Sequence, residues 1–568
     1  MMKFKNILLP ALTLVLLASA CELTELDLLN DPSEVTPENV DLNQLYNNVV
    51  KEFADFVDEA SDETMPYVRM TAMSGGFQYN NQDGPGDFNF IWSQAYNNLL
   101  PDIELVLELA SERGFTLHTG TSKIMKAYTF FTLVDLFGDI PFSEALQGVA
   151  NPSPKADDDE SVYTAALALL DEAIGDLANP AGTLAFDPYY DGDAAGWIKL
   201  ANTLKLRYHV QTRLVGGSAS EINALLDKVI DSKEDDFEFP YGLDRQTSAD
   251  IPDSRHPYYQ DGYEANGPSI YMSNYMMWQM ILEKGVVDPR VRYYFRRQDA
   301  FEDNENQFTL ECPLAPYPLH WPDGYPWCTA SGDFVDVGNN WGGYWGRNHG
   351  DALGIPPDDL KRTAWGLYPG GGAFDNLPQI IPDEDPESNP FQVSNAGTDG
   401  ARGQGIQPIL QSSYVNFLRA EAALMMGTND DPRMQLEAGV RASIDKVMNF
   451  NTSVVDTDFV PSEDDVEAYV ARVLELYDGA ADDDERLNVI IGEFRLALHG
   501  MGVDAYNAYR RTSKPERMEP TFQDNPGAFP RTFWYPADYV NRNASATQRP
   551  GPELETRVFW DTNPDDLQ

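Results

Sequence analysis

Two blocks of helix-period apolar pattern, 92–231 and 411–500, are separated by a long stretch, about 235–405, that has almost none. Residues 92–110, 121–137, 161–178, 194–214 and 219–231 read as helices in the first block. Within 161–178, Val162, Ala166, Leu169, Leu170, Ala173 and Leu177 form one stripe, the period that buries one face of a helix. The 121–137 segment is apolar nearly all round through Ile124, Tyr128, Phe130, Phe131, Val134 and Phe137, which places it inside the helical body. The second block predicts helices at 411–427, 432–449, 463–477 and 484–500, joined by short connections. Such pairs predict helical hairpins stacked as in repeat proteins, with no strict period.

The expected class is mainly α. Helical periodicity begins near Asp41, and a helical body spans 41–234 and 411–512. A loop-rich lobe occupies 235–410, with brief helical stretches such as 271–284, and a loop-rich segment closes the chain from 513 to 568. Residues 41–568 are read as one domain.

The first twenty residues are of another kind. Lys3 and Lys5 precede an apolar run from Ile7 to Leu17, and Ala18-Ser19-Ala20 leads into Cys21. This is an export signal, too short in its apolar core for a bilayer helix of about 20 residues. Small residues before a cysteine match a bacterial lipobox, in which Cys21 becomes the lipid-bearing N-terminus. Ala18 stands where lipoboxes favour a larger aliphatic, and Ala18-Ser19-Ala20 also fits ordinary A-x-A cleavage. With several acyl chains, each methylene adding about 0.8 kcal/mol, attachment would be close to permanent. Residues 21–40, acidic and rich in turn formers, then read as an extended tether.

The net charge is −51, or −53 once Lys3 and Lys5 leave with the leader. Phosphate binding needs clustered cations, so nucleic acid is excluded as a partner and polyanions are disfavoured. Of three cysteines, Cys312 and Cys328 remain after Cys21. Export and the Pro- and aromatic-rich segment between them favour a disulfide, worth about 3 kcal/mol in the chain-entropy model, over two buried thiols.

Catalytic markers are missing. The six histidines, His118, His209, His256, His320, His349 and His499, have no partner at zinc-ligand spacing. No HExxH, G-x-S-x-G, P-loop or dinucleotide glycine fingerprint occurs, which leaves metal, serine and nucleotide chemistry without their usual signatures. Carboxylate pairs at about 5 to 9 Å can arise anywhere in so acidic a chain. Asp187, Asp191 and Asp193 offer oxygens at close spacing for Ca²⁺. Turn chemistry and helix capping explain them better, and they miss the EF-hand spacing. No cofactor is expected.

Eight aromatics crowd fifty residues of the lobe: Trp321, Tyr325, Trp327, Trp341, Tyr344, Trp345, Trp365 and Tyr368. They alternate with Gly, Asn, Asp and Arg347 and follow no helix or strand period. A sugar presents apolar C–H faces and a rim of hydroxyls, which a Trp/Tyr platform with polar neighbours matches. Most of the eight are expected in the core of the lobe, with two or three facing ligand.

Several segments resemble the SusD/RagB family of nutrient-binding outer-membrane lipoproteins. They are IMKAYTFFTLVDLFGDIPFSEALQG (124–148), YYDGDAAGWIKLANTLKLRYHVQTRL (189–214), DPRVRYYF (288–295), YWGRNHGDALGIPPDD (344–359), GLYPGGGAFD (366–375), VNFLRAEAALMMG (415–427), GVDAYNAYRRTSKP (502–515) and FPRTFWYPADYVNRN (529–543). Their order and spacing carry the resemblance through nearly the whole chain. They read as scaffold: Asp135, Gly138, Asp139 and Pro141 end a helix, while Asn202, Arg207, Arg510 and Arg511 tie helices together.

The resemblance implies tetratricopeptide-like helical pairs with a loop-rich ligand-binding lobe. It also implies a cell-surface lipoprotein that acts as hinged lid over a SusC-like, TonB-dependent β-barrel, catalysing nothing itself. Capture of a neutral glycan is the first reading, RagB-like capture of peptide the second, and glycoside hydrolysis the third. Trp327, Trp341, Tyr344 and Trp345 are expected to stack on ligand, with Arg347 and Asn348 donating to hydroxyls. Family sites also draw on loops soon after the first helix, so Tyr79, Asn80 and Gln82 of 74–83 are further candidates, beside their reading as a solvated turn.

Overall fold

The computed structural model describes residues 41–73, 79, 83–245, 253–263, 270–297, 344, 346–351, 363–376, 399–549 and 556–568. The leader, the tether with Cys21, and Cys312 and Cys328 lie outside them.

Helix α1 (Leu42–Thr64) begins where Asp41 turns its carboxylate onto the amide of Asn43 at 2.9 Å, satisfying a donor that has no partner inside the helix. Its apolar face, including Tyr46, Val49, Val50, Phe53, Phe56 and Val57, is buried. The expected 92–110 helix belongs to a longer run, 89–113, that changes geometry midway. A π-helical turn, Gln94–Leu99, precedes α2 (Leu100–Arg113). Pro101 is the physical reason, since its ring would clash with a carbonyl one turn back and the wider turn makes room. Gly114, at φ 66°, closes α2 in the left-handed region that glycine adopts freely.

Helix α3 (Thr116–Phe137) is buried on nearly every side, as its all-round apolar pattern requires. It packs against α4 (Asp159–Leu177), which Asp158 caps through Ser161 N. Gly120 is the point of closest approach. A Cβ there would lie 2.5 Å from Leu177 Cγ and 3.2 Å from the Ala173 carbonyl oxygen. Gly120→Ala is therefore expected to lower the denaturation midpoint. Overpacking costs about 1–3 kcal/mol, and the better helix propensity of alanine returns only about 1 kcal/mol. A raised midpoint in urea unfolding would mean that the pair can separate without penalty.

Helix α5 (Ala194–Gln211) packs on α4. It stops three residues before the expected 214, and the 219–231 segment is helical only over Ala219–Leu225. In the second block α6 (Ser412–Met426) packs on α7 (Pro432–Met448) and α9 (Asp483–Ala497), and α8 (Glu463–Gly479) packs on α9. Ser462 and Asp465 form a reciprocal capping box at the start of α8. Helix α10 (Gly502–Thr512) is buried throughout.

Buried ion pairs join the helices where the sequence placed scaffold residues. Asp135 of α3 accepts from Tyr163, Trp560 Nε1 and Asn507 Nδ2 at 3.1, 2.9 and 2.7 Å. Arg510 of α10 donates to the Asp135 carbonyl at 2.7 Å, and Arg207 of α5 reaches Asp504 at 2.7 Å. Burial pushes the Asp135 carboxyl up, and Arg207 and Arg510 offset part of that rise.

Strand β1 (Phe237–Pro240) opens the lobe; β2 (Phe295–Arg296) and β3 (Ala364–Trp365) form a small antiparallel pair inside it. Strand β4 (Ile406–Leu410) runs antiparallel to β1, with Phe237 opposite Leu410 and Pro240 opposite Ile406. This clasp brings both ends of the lobe back to the body. The expected 271–284 helix is a short α-turn, Asn274–Trp278, continued by a π-turn, Gln279–Glu283. Among the described residues no helix is long and apolar enough to cross a membrane.

Candidate ligand-binding site

Tyr79 and His349, 270 residues apart in sequence, meet at a buried polar junction. The Tyr79 hydroxyl lies 2.9 Å from His349 Nε2. Arg69 donates to that hydroxyl at 2.9 Å and to the Glu519 carbonyl at 2.9 and 2.6 Å. Glu519 Oε2 accepts from His349 N at 3.2 Å. Backbone bonds from Gly350 N to Met73 O and from Phe522 N to His349 O, both 2.7 Å, run alongside these side-chain contacts. All four side chains, Arg69, Tyr79, His349 and Glu519, are buried.

Their protonation follows from that burial. Desolvation drives the His349 imidazole well below its ordinary value, helped by the Arg69 charge, so it is neutral. It pushes the Tyr79 hydroxyl up to about 12, so that group is no general base. The Glu519 carboxyl is pushed up to about 8 by burial, with Asp351 adding to the rise and His349 N and Arg69 opposing it. A buried node of this kind, with the Arg69 guanidinium as its cation, clamps Tyr79, His349 and Glu519 together and offers no activated nucleophile.

The clamp has a pH signature. A carboxyl raised in the folded state stabilises fully below its unfolded value, and that contribution is lost as pH rises through about 8. Glu519→Gln is expected to flatten the fall of the urea midpoint between about pH 5 and 8. An unchanged slope would place the titration elsewhere.

Four of the side chains expected to face ligand, Tyr79, Tyr344, Arg347 and Asn348, are buried. Tyr344 is 1% exposed. The Arg297 guanidinium lies 4.8 Å from its ring centre, and the edge of Phe295 faces it at 6.5 Å. A ring so enclosed presents no stacking face. Arg347 is buried with its guanidinium 4.9 Å from the Tyr271 ring, and its backbone bridges Met272 and Asn274. Asn348 is buried and accepts from Asn274 Nδ2 at 3.0 Å. Tyr79 is neither solvated nor turned outward. Tyr79 belongs to the junction, while Tyr344, Arg347 and Asn348 pack against Arg297, Tyr271 and Asn274.

Trp365 and Tyr368 are also core, Trp365 stacked on Tyr258 at 4.0 Å and 7°. All the described members of the aromatic set thus belong to the core. Trp327, Trp341, Trp345, Asn80 and Gln82 lie outside the described residues. Sequence reasoning missed Arg69 and Glu519, and it set His349 aside because its partner is not a second histidine but Tyr79.

The calcium alternative at Asp187 also fails. Its carboxylate takes four N–H donors, from Tyr189, Tyr190, Gly192 and Trp197 Nε1, at 2.8–3.2 Å. Asp193 caps α5 through Ala195 N. Asp139, Asp158 and Asp159 place one oxygen each within 4.8 Å of one another. They accept from the Asp159, Ser161, Glu160 and Phe559 amides, as the start of α4 demands.

Residues 30–309 match a family model described as SusD-like, starch-binding and associating with the outer membrane. Residues 400–561 match a second, described as SusD and RagB outer-membrane lipoprotein. No curated protein matches the chain. Among solved structures, a SusD homologue from Bacteroides fragilis is 17% identical, with 92% of this chain and 99% of that one covered and a TM-score of 0.60. A chitin-binding SusD homologue from Flavobacterium johnsoniae is 18% identical over 92% of this chain and 99% of its own, with a TM-score of 0.60. Another, described only as a chitin-binding protein, is 16% identical over 93% and 100%, with a TM-score of 0.62. At such identities these likenesses show the fold. Taken with the two family models, which together span both helical blocks and the start of the lobe, they establish that the chain belongs to the SusD/RagB family of outer-membrane, nutrient-binding lipoproteins.

Proposed function

We propose that the protein captures a neutral glycan at the cell surface and delivers it to a SusC-like, TonB-dependent barrel, over which it acts as lid. The observation that carries this reading is the junction itself. It joins Tyr79 to His349, residues from two stretches singled out separately in sequence. Asn80 and Gln82 follow Tyr79 within three residues, and Trp345 and Trp341 precede His349 by four and eight. Trp341 and Trp345 supply stacking faces, Asn80 and Gln82 supply hydroxyl partners, and Trp327 adds a third aromatic. A net charge of −51 suits an uncharged ligand. Two solved relatives are described as chitin-binding, which supports a polysaccharide as the ligand class.

Lipidation at Cys21 supplies the anchor, residues 21–40 the slack, and residues 41–568 work as one domain. A Cys312–Cys328 disulfide would brace the lobe. Electrophoresis through gels containing neutral polysaccharides tests capture. Retarded migration without release of reducing ends is expected for at least one glycan. Release of reducing ends would make the protein a hydrolase, and peptides carried through native purification with no glycan retardation would favour the peptide reading.

A further inference from the structure

A polar cleft of about 530 Å³ lies where the second helical block meets residues of the lobe and of the closing segment, and it shares no residue with the junction. It runs between the Gln279–Glu283 turn, the C-terminal half of α8, α9 and residues 515–517. Its floor is a buried cation. Lys284 Nζ is 3.0 Å from Glu493 Oε1, with side chains 9% and 2% exposed. An ammonium has three donors, and Glu493 takes one of them. Arg472, half-buried on one wall, spends Nε on the Lys284 carbonyl and Nη1 on Glu475. Arg517, exposed on the other wall, has no side-chain partner among the described residues.

The rim carries the opposite sign through Glu475 and Glu516, 70% and 51% exposed and paired with Arg472 and Lys514, and Glu283 and Glu485 line the cleft as well. No aromatic side chain lines the cleft, so a sugar ring has no face to stack on. A carboxylate entering the cleft would find cations in Lys284 and Arg517, and an ammonium would find carboxylates in the acidic lining. Gly492 keeps the space open from α9, since a Cβ there would meet nothing within 4 Å.

We propose that this cleft binds a small zwitterion with a free carboxylate and a free ammonium, such as a short peptide, independently of glycan capture. Titration calorimetry with triglycine, N-acetyltriglycine and triglycine amide tests it. Triglycine is expected to bind, and blocking either end to weaken it about tenfold, the loss of one charge-assisted contact. Gly492→Phe, which directs a ring into the cleft, is expected to abolish binding with the melting temperature and glycan retardation kept. Arg517→Ala, an exposed change, is expected to weaken it about tenfold even if the first variant fails to fold. Absence of binding at about 10 mM triglycine, equal affinity for the blocked forms, or full affinity in both variants would overturn the proposal. Loss of glycan retardation alone would touch only the glycan reading.

Discussion

Replacing Glu421 by alanine is expected to cost about 3–5 kcal/mol of folding stability, the loss seen when one member of a buried ion pair is removed. Glu421 on α6 is fully buried and accepts from Arg511 of α10 through both oxygens at 2.7 Å and from Arg213, just past α5, at 2.8 Å. Alanine would leave two guanidinium groups, 2% and 8% exposed, facing each other without a counter-charge. Desolvation alone would raise the Glu421 carboxyl, but Arg511 and Arg213 hold it below its ordinary value. Its contribution is therefore present at neutral pH and is lost as pH falls through the depressed folded value, opposite in sign to Glu519. Glu421→Gln should lose less, since it keeps an acceptor. Urea unfolding followed by far-UV circular dichroism reads both; a shift under about 1 kcal/mol would mean that water enters and solvates the arginines.

Trp341→Ala or Trp345→Ala is expected to weaken neutral-glycan binding by about 1–3 kcal/mol, roughly tenfold to over a hundredfold. With Tyr344 enclosed by Arg297 and Phe295, the proposed stacking rests on these two tryptophans and on Trp327. Tyr344→Leu should act differently: it removes a packed ring and lowers stability, with glycan affinity held in the folded fraction. Unchanged affinity in a folded tryptophan variant removes that residue from the site.

The helical body was legible because its signals are local. The all-round apolar face of 121–137 and the stripe of 161–178 translate directly into buried surfaces of α3 and α4. Arg207, Arg510 and Arg511, read as ties between helices, make those ties. The π-turn before α2 was not read, although Pro101 carried the signal. Side-chain direction in the lobe was not legible. Where helix or strand period is absent, composition says that aromatics and polar groups are close, and it does not say which point inward. Tyr344, Arg347 and Asn348 turned inward for reasons that lie in Arg297, Tyr271 and Asn274, distant in sequence. The pairing of Tyr79 with His349 likewise joins residues that no short-range rule connects.

Hydrogen exchange of the full-length protein, with and without a saturating neutral glycan that retards it in gels, reads the central claim most directly. Glycan capture above the Tyr79–His349 clamp predicts protection in peptides covering 70–90 and 340–351, with the amides of α8 and α9 unchanged. Protection confined to α8 and α9, with 70–90 and 340–351 exchanging as in the free protein, would contradict it.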